Sequence, residues 1–184
     1  MTAPKFALVM VALAATTLVS CATAERRGAG DTAAAAPVGV VLHEPRPGLY
    51  TAAQPAPSDW SAIAARGVRT VINLRPDAEL EGRNVVAEVR AAGMTYHAIP
   101  VIGPDGITAD NAQRLSTMLA RVDGPVLVHC SSANRAGGLL AVAAEQDGMD
   151  AEAALALGRA AGMKSAEVRV REVLDLPPAA PGNQ

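Results

Sequence analysis

The chain has 184 residues, 50% of them hydrophobic, 18% charged and 2% aromatic, with 16 basic and 18 acidic side chains giving a formal charge of −2. That length suits one compact domain with its own core, and the shortage of aromatics leaves Ala, Val, Leu and Ile to fill it while removing the stacking platforms that nucleic-acid binders use. A charge so close to zero excludes long-range steering of polyanions, so any affinity for phosphate has to be local.

In chain order, Lys5 precedes an apolar run from Phe6 to Val19, shorter than a membrane-spanning helix needs and suited to the core of an export signal. The tetrapeptide Leu18-Val19-Ser20-Cys21 resembles the bacterial lipobox. That resemblance implies removal of residues 1–20, a diacylglycerol on the Cys21 sulfur and, because Ala22 rather than Asp follows, an outer-membrane anchor facing the periplasm. Cleavage after Ala22-Thr23-Ala24 is the alternative and would release a soluble periplasmic protein. Residues 21–37, small and polar, read as a flexible tether, and the Pro- and Ala-rich stretch 177–184 as a disordered tail. With Cys21 lipidated, Cys130 is the one thiol left, so no intramolecular disulfide can form.

Residues 38–176 read as the folded domain. Val38–Leu42 and Gly48–Thr51 are expected as short strands, and Ser58 as the cap of a helix running to Arg66, with Gly67 as its stop. A buried strand is expected over Val68–Leu74, a helix over Glu79–Ala92, and a strand over Thr95–Val101 followed by a Gly103-Pro104-Asp105-Gly106 loop. Thr108 can cap the next helix, whose Leu115, Met118, Leu119 and Val122 form one apolar stripe. After the Gly124-Pro125 turn, Val126–Val128 is a short apolar strand delivering His129 and Cys130, and helices are expected from Ala136, over Asp150–Ala161 and over Ser165–Leu174. Strands separated by helices predict an α/β fold with a mostly parallel central sheet flanked by helices, whose ligands bind beyond the carboxyl ends of the strands. Cys130 stands at such an end.

The stretch from His129 through Cys130, Ser131, Ser132, Ala133 and Asn134 to Arg135, Ala136 and the pair Gly137-Gly138 runs strand, tight loop, helix. A loop of small residues entering a helix aims successive N–H groups at one point, and the helix dipole adds positive potential there. Such a cradle accepts an oxyanion and favours a thiolate at Cys130. Arg135 adds a permanently charged planar fork suited to tetrahedral oxyanions, and the two glycines permit close helix packing. His129 reads as an anchor of the loop through hydrogen bonds, with acid–base work as the alternative. Arg75 reads as a solvated arginine at a strand end, with a place at the pocket rim as the alternative.

These residues, with Tyr50-Thr51-Ala52-Ala53-Gln54-Pro55, Thr70-Val71-Ile72-Asn73-Leu74-Arg75 and Tyr96-His97-Ala98-Ile99-Pro100-Val101, resemble the beta-lactamase-hydrolase-like phosphatase-like domain, within the cysteine-dependent protein tyrosine and dual-specificity phosphatases. The resemblance covers about Val38 to Leu174. It implies a dual-specificity-phosphatase-like fold in which Cys130 attacks phosphorus, a phosphocysteine forms and water hydrolyses it. It further implies that Ser131, Ser132, Ala133, Asn134, Arg135 and Ala136 bind the phosphate and that Asp105 acts as general acid, with Asp110 as the runner-up. The implied partner is a phosphorylated small molecule or phosphoprotein, with no nucleic acid and no cofactor. A zinc site is not expected, because His43, His97 and His129 show no metal-ligand spacing around Cys130.

The loop departs from the tyrosine-phosphatase pattern in having only Ser131, Ser132, Ala133 and Asn134 between Cys130 and Arg135, one residue fewer. That spacing is also found in rhodanese-like sulfurtransferases, where the cysteine carries a persulfide. Ala133 stands where both families favour glycine, and Ala136 replaces a frequent hydroxyl residue. Sulfur transfer through Cys130, and a non-catalytic anion-binding module of the cell envelope, therefore stand as alternatives to phosphate ester hydrolysis.

Overall fold

A computed structural model describes residues 39–179; the expected export signal, Cys21, the whole of the tether and the end of the tail lie outside them. Five strands form a single mixed sheet, β1 (Leu42–Arg46), β2 (Leu49–Ala52), β3 (Thr70–Asn73), β4 (Thr95–Ala98) and β5 (Val126–His129), in the order β1-β2-β5-β3-β4. The β1/β2 ladder is antiparallel, and β2/β5, β5/β3 and β3/β4 are parallel, as crossover connections through helices require. The first expected strand is displaced: the chain pairs over Leu42–Arg46, and β1 and β2 form a hairpin closed at Gly48, whose φ of +76° suits glycine.

Six helices cover both faces: α1 (Asp59–Ala65), α2 (Val85–Ala91), α3 (Ala109–Leu119), α4 (Asn134–Gln146), α5 (Ala151–Ala160) and α6 (Glu167–Val173). Alternation along each strand sorts the core into two layers. Leu49, Ile72, Val126 and Val128 face α3, α4, α5 and α6, where Leu115, Leu139, Leu155 and Val170 are buried. Val71 and Leu127 face α1 and α2, where Trp60, Ile63, Val85 and Val89 are buried.

The starts of α1 and α2 differ from expectation. The Ser58 side chain makes no capping bond. Asp59 secures the start of α1 instead, accepting from the Ala56 and Gly39 amides, each at 2.8 Å. The helix expected from Glu79 begins at Val85, because Glu81 and Gly82 take left-handed φ values of 51° and 77°, and Asn84 caps by accepting from Ala87 N. Asp77–Glu79 is a separate 3-10 turn. Thr108 caps α3 as expected, accepting from Asn111 N at 3.2 Å.

The glycine pair in α4 brings that helix against α5 and α6. A Cβ on Gly137 would lie 2.5 Å from the Gly158 carbonyl oxygen and 2.6 Å from Met163 N, so only hydrogen fits there. No helix among the described residues is long and apolar enough to cross a membrane.

Candidate active site

The carboxyl ends of the parallel strands converge on one loop. β5 ends at His129; the His129 carbonyl accepts from Leu74 N at 2.8 Å and Cys130 N donates to the Ala52 carbonyl, so the neighbouring strands β3 and β2 fix where the loop starts. Ala53 and Ser132 form an isolated bridge. Ala133 then takes φ +67° and α4 opens at Asn134. This left-handed residue turns the chain sharply enough to place Cys130 and Arg135 on one short arc, doing the work of the glycine expected at that position. The helix starts two residues earlier than the sequence suggests, so Arg135 lies in its first turn.

Cys130 is fully buried and belongs to the core layer on the α4 side. Ser131 and Ser132 are exposed. Arg135, 8% exposed, is held by three elements. Nη1 donates to Glu79 Oε1 at 2.8 Å and to the Val101 carbonyl at 2.6 Å; Nη2 donates to Glu79 Oε2 at 2.6 Å and to Ser131 Oγ at 3.0 Å. Hydrogen bonding to Glu79 outweighs burial and, with the Cys130 sulfur, holds Arg135 above the ordinary arginine value and firmly charged. Reciprocally, the Arg135 hydrogen bond holds the Glu79 carboxyl below the usual glutamate value, with Arg75 contributing.

Glu79 is the residue that sequence reasoning missed. It was expected as the first residue of a helix, and no local spacing links it to an arginine 56 positions later. Arg75 is also not the solvated side chain expected: its side chain is 12% exposed, Nη1 donates to Gln54 Oε1 at 2.9 Å and Nη2 donates to the Glu79 carbonyl. Arg75 thus braces the turn that presents Glu79.

His129 does not anchor the loop through its ring. It is fully buried, neither ring nitrogen has a hydrogen-bond partner, and it meets Trp60 edge-on with centroids 5.8 Å apart. Burial lowers its pKa to about 3, so the ring is neutral. Alternation explains the placement: Leu127 and His129 face α1, whereas Val128 and Cys130 face α4.

Asp105 lies exposed in the turn after Val101, and Asp110 is exposed in the first turn of α3; neither is hydrogen-bonded through its side chain. The turn carrying Asp105 is joined to Arg135 through the Val101 carbonyl and closed by Gly106 N donating to the Ile102 carbonyl at 3.0 Å. The Asn134 carboxamide is directed to the α5–α6 corner, so any contact of this residue with phosphate falls to its backbone amide. Ala136 is buried in the core behind the loop. No cluster of three metal-ligating side chains occurs among the described residues. Two cavities, of about 190 and 480 Å³, lie away from this loop, one among α3, α4 and α5 and one between β4 and α3.

The sequence model of the beta-lactamase hydrolase-like protein, phosphatase-like domain matches residues 42–148, which run from β1 through the Cys130 loop to the end of α4. The chain belongs to this family. The chain is similar to the beta-lactamase hydrolase-like protein of Xylella fastidiosa, 40% identical over 119 residues, covering 62% of this chain and 27% of that one. It therefore spans about a quarter of the length of the curated relatives it matches. Among solved structures, the candidate phosphatase nma1982 of Neisseria meningitidis is 26% identical with a TM-score of 0.61, covering 70% of this chain and 94% of that one. TpbA of P. aeruginosa is 25% identical with a TM-score of 0.57, covering 71% and 83%. The phosphatase-like domain thus has the α/β fold of the dual-specificity and tyrosine phosphatases, and its family and fold support a cysteine-dependent phosphatase.

Proposed function

We propose that the domain hydrolyses phosphate monoesters through Cys130. The Cys130 sulfur, as thiolate, attacks phosphorus; the bond from phosphorus to the ester oxygen breaks; and the Asp105 carboxyl gives its proton to the departing oxygen. Water, giving a proton back to Asp105, then attacks the phosphocysteine, releasing inorganic phosphate and the thiolate. Arg135 and the amides of Ser131 to Ala136 bind the equatorial oxygens, where charge is concentrated in both transition states. No cofactor enters these steps. The observation that carries this reading is the arc on which Cys130 and Arg135 sit together, at the carboxyl end of a parallel strand, with the guanidinium fixed by Glu79, Val101 and Ser131.

The substrate is a phosphorylated small molecule or phosphoprotein. TpbA has been captured with pTyr and shares the fold at 23% identity, which makes phosphotyrosine a natural first compound to try. We further propose that Cys21 carries a lipid that anchors the domain in the cell envelope, facing the periplasm. Labelling with a fatty-acid probe in cells, lost in Cys21→Ser, supports that placement; an unlabelled, freely soluble protein removes it.

One observation favours a second reading: four residues, Ser131 to Asn134, separate Cys130 from Arg135, which also suits a persulfide carrier. Purified protein offered p-nitrophenyl phosphate or phosphotyrosine, and separately thiosulfate with cyanide, distinguishes the two. Phosphate release abolished by Cys130→Ser supports hydrolysis. Thiocyanate formation dependent on Cys130, without phosphate release, overturns it. If neither product forms while phosphate shields Cys130 from alkylation, the domain is an anion-binding module.

A further inference from the structure

We propose that Asn134 is a positioning residue, one that aims the oxyanion loop by clamping it to the corner between α5 and α6 without touching the anion. The inference rests on the reading of the Cys130 loop as an oxyanion site. Asn134 follows the left-handed Ala133 and precedes Arg135, so its side chain could have faced the cradle. Its carboxamide is instead committed elsewhere. Oδ1 accepts from Lys164 N at 2.7 Å and from Ala166 N at 3.1 Å, and Nδ2 donates to Ser165 Oγ at 2.8 Å. Both acceptor positions and one of the two donors are thereby used within a single tripeptide.

That tripeptide is held from behind. Thr51 Oγ1, on β2, donates to the Ala161 carbonyl at 2.7 Å in the interior. Gly162, at φ +92°, lies where a Cβ would come 2.8 Å from the Ala133 Cβ and 3.0 Å from His43 Nε2. The corner therefore lies close against the one residue of the loop whose backbone is unfavourable for an L-amino acid, an approach that only glycine at 162 permits, while Asn134 grips the next. Releasing the grip lets Ala133 relax toward right-handed φ, which re-aims the amides of Asn134 and Arg135 and carries the Arg135 side chain with them. Oxyanion affinity depends on those directions more steeply than stability does.

Binding of inorganic phosphate to the full chain, read as protection of Cys130 from iodoacetamide, tests this alongside thermal melting. Asn134→Ala weakens phosphate binding by about tenfold or more, the scale of one misaimed donor. Asn134→Asp keeps an acceptor for Lys164 N and Ala166 N, and binds within about threefold of the parent; a side chain that touched the anion would, as a carboxylate, repel it far more strongly. Val170→Ala, which opens the core beneath α6, lowers the melting temperature and leaves phosphate affinity unchanged. The inference is overturned if Asn134→Ala binds as the parent does, or if Asn134→Asp, which remains informative should the alanine variant fail to fold, loses binding. A parent protein that binds no phosphate overturns the hydrolytic reading, and this inference with it.

Discussion

The Glu79 carboxylate meets the Arg135 guanidinium end to end, Oε1 2.8 Å from Nη1 and Oε2 2.6 Å from Nη2. With the Val101 carbonyl and Ser131 Oγ this makes four hydrogen bonds on the two terminal nitrogens, none of which uses the Nε donor. The fork is thus fixed by the β3–α2 connection, the β4–α3 connection and its own loop at once. A long side chain held from three directions presents its charge without further loss of rotamer freedom.

Glu79→Gln keeps the shape of the contact and removes its charge. We expect kcat/KM on phosphate monoesters to fall by about tenfold, the effect of loosening an oriented group next to the reacting atoms. Stability should fall by about 1–2 kcal/mol, less than for a fully buried pair because the Glu79 side chain is 32% exposed. Steady-state kinetics and denaturant melts of the pair of proteins check both numbers.

Acid should destabilise the protein in two stages. His129 is held to about pH 3 by burial against an ordinary 6.5, so between these values the unfolded chain binds the proton and the folded chain does not. Its contribution is complete above pH 6.5 and erodes as pH falls toward 3. Glu79, lowered from 4.5, adds a loss that begins only as pH falls below 4.5. Because both His129 ring nitrogens lack partners, His129→Phe should keep the packing on Trp60 and flatten the upper stage. Melting temperatures from pH 8 to 3 would show an unchanged upper stage in that variant if another group governs it.

Gly137→Ala should cost at least about 1–3 kcal/mol, the scale of an overpacked interior. The added carbon meets two backbone atoms, the Gly158 oxygen at 2.5 Å and Met163 N at 2.6 Å, and backbone cannot rotate aside. Chemical denaturation measures the loss; a variant as stable as its parent would mean that α4 and α5 lie farther apart.

Cys130→Ser should abolish phosphate release, whereas Asp105→Asn should show a dependence on the leaving group. With p-nitrophenyl phosphate, whose phenolate needs little protonation, the loss should be small; with an alkyl phosphate it should approach about a hundredfold or more. An equal loss on both substrates would move the acid role away from Asp105.

How far the sequence reaches differs from residue to residue. The run Val126 to Arg135 announces a strand, a tight loop and the approach to a helix because each step rests on local chemistry: three apolar residues, then small ones, then an arginine opening an Ala- and Leu-containing stretch. The Thr108 cap and the Gly137-Gly138 contact are legible for the same reason. The alternation of β5 already separates His129 from Cys130, placing them on opposite faces of the sheet. The break at Glu81 and Gly82 is marked in the sequence by a single glycine, a weaker signal than the valines at helical spacing after it.

What the sequence by itself determined is the α/β alternation, the mostly parallel sheet and the placing of Cys130 and Arg135 at one strand-to-helix turn, since hydrophobic period and short-range sterics act between neighbours in the chain. Only the tertiary structure decided that Glu79 and the Val101 carbonyl grip Arg135, that His129 is neutral against Trp60, and that Asn134 reaches Lys164 and Ala166. Those partners are joined by the stacking of strands and helices, and their pairing energy depends on burial and distance that no local pattern encodes.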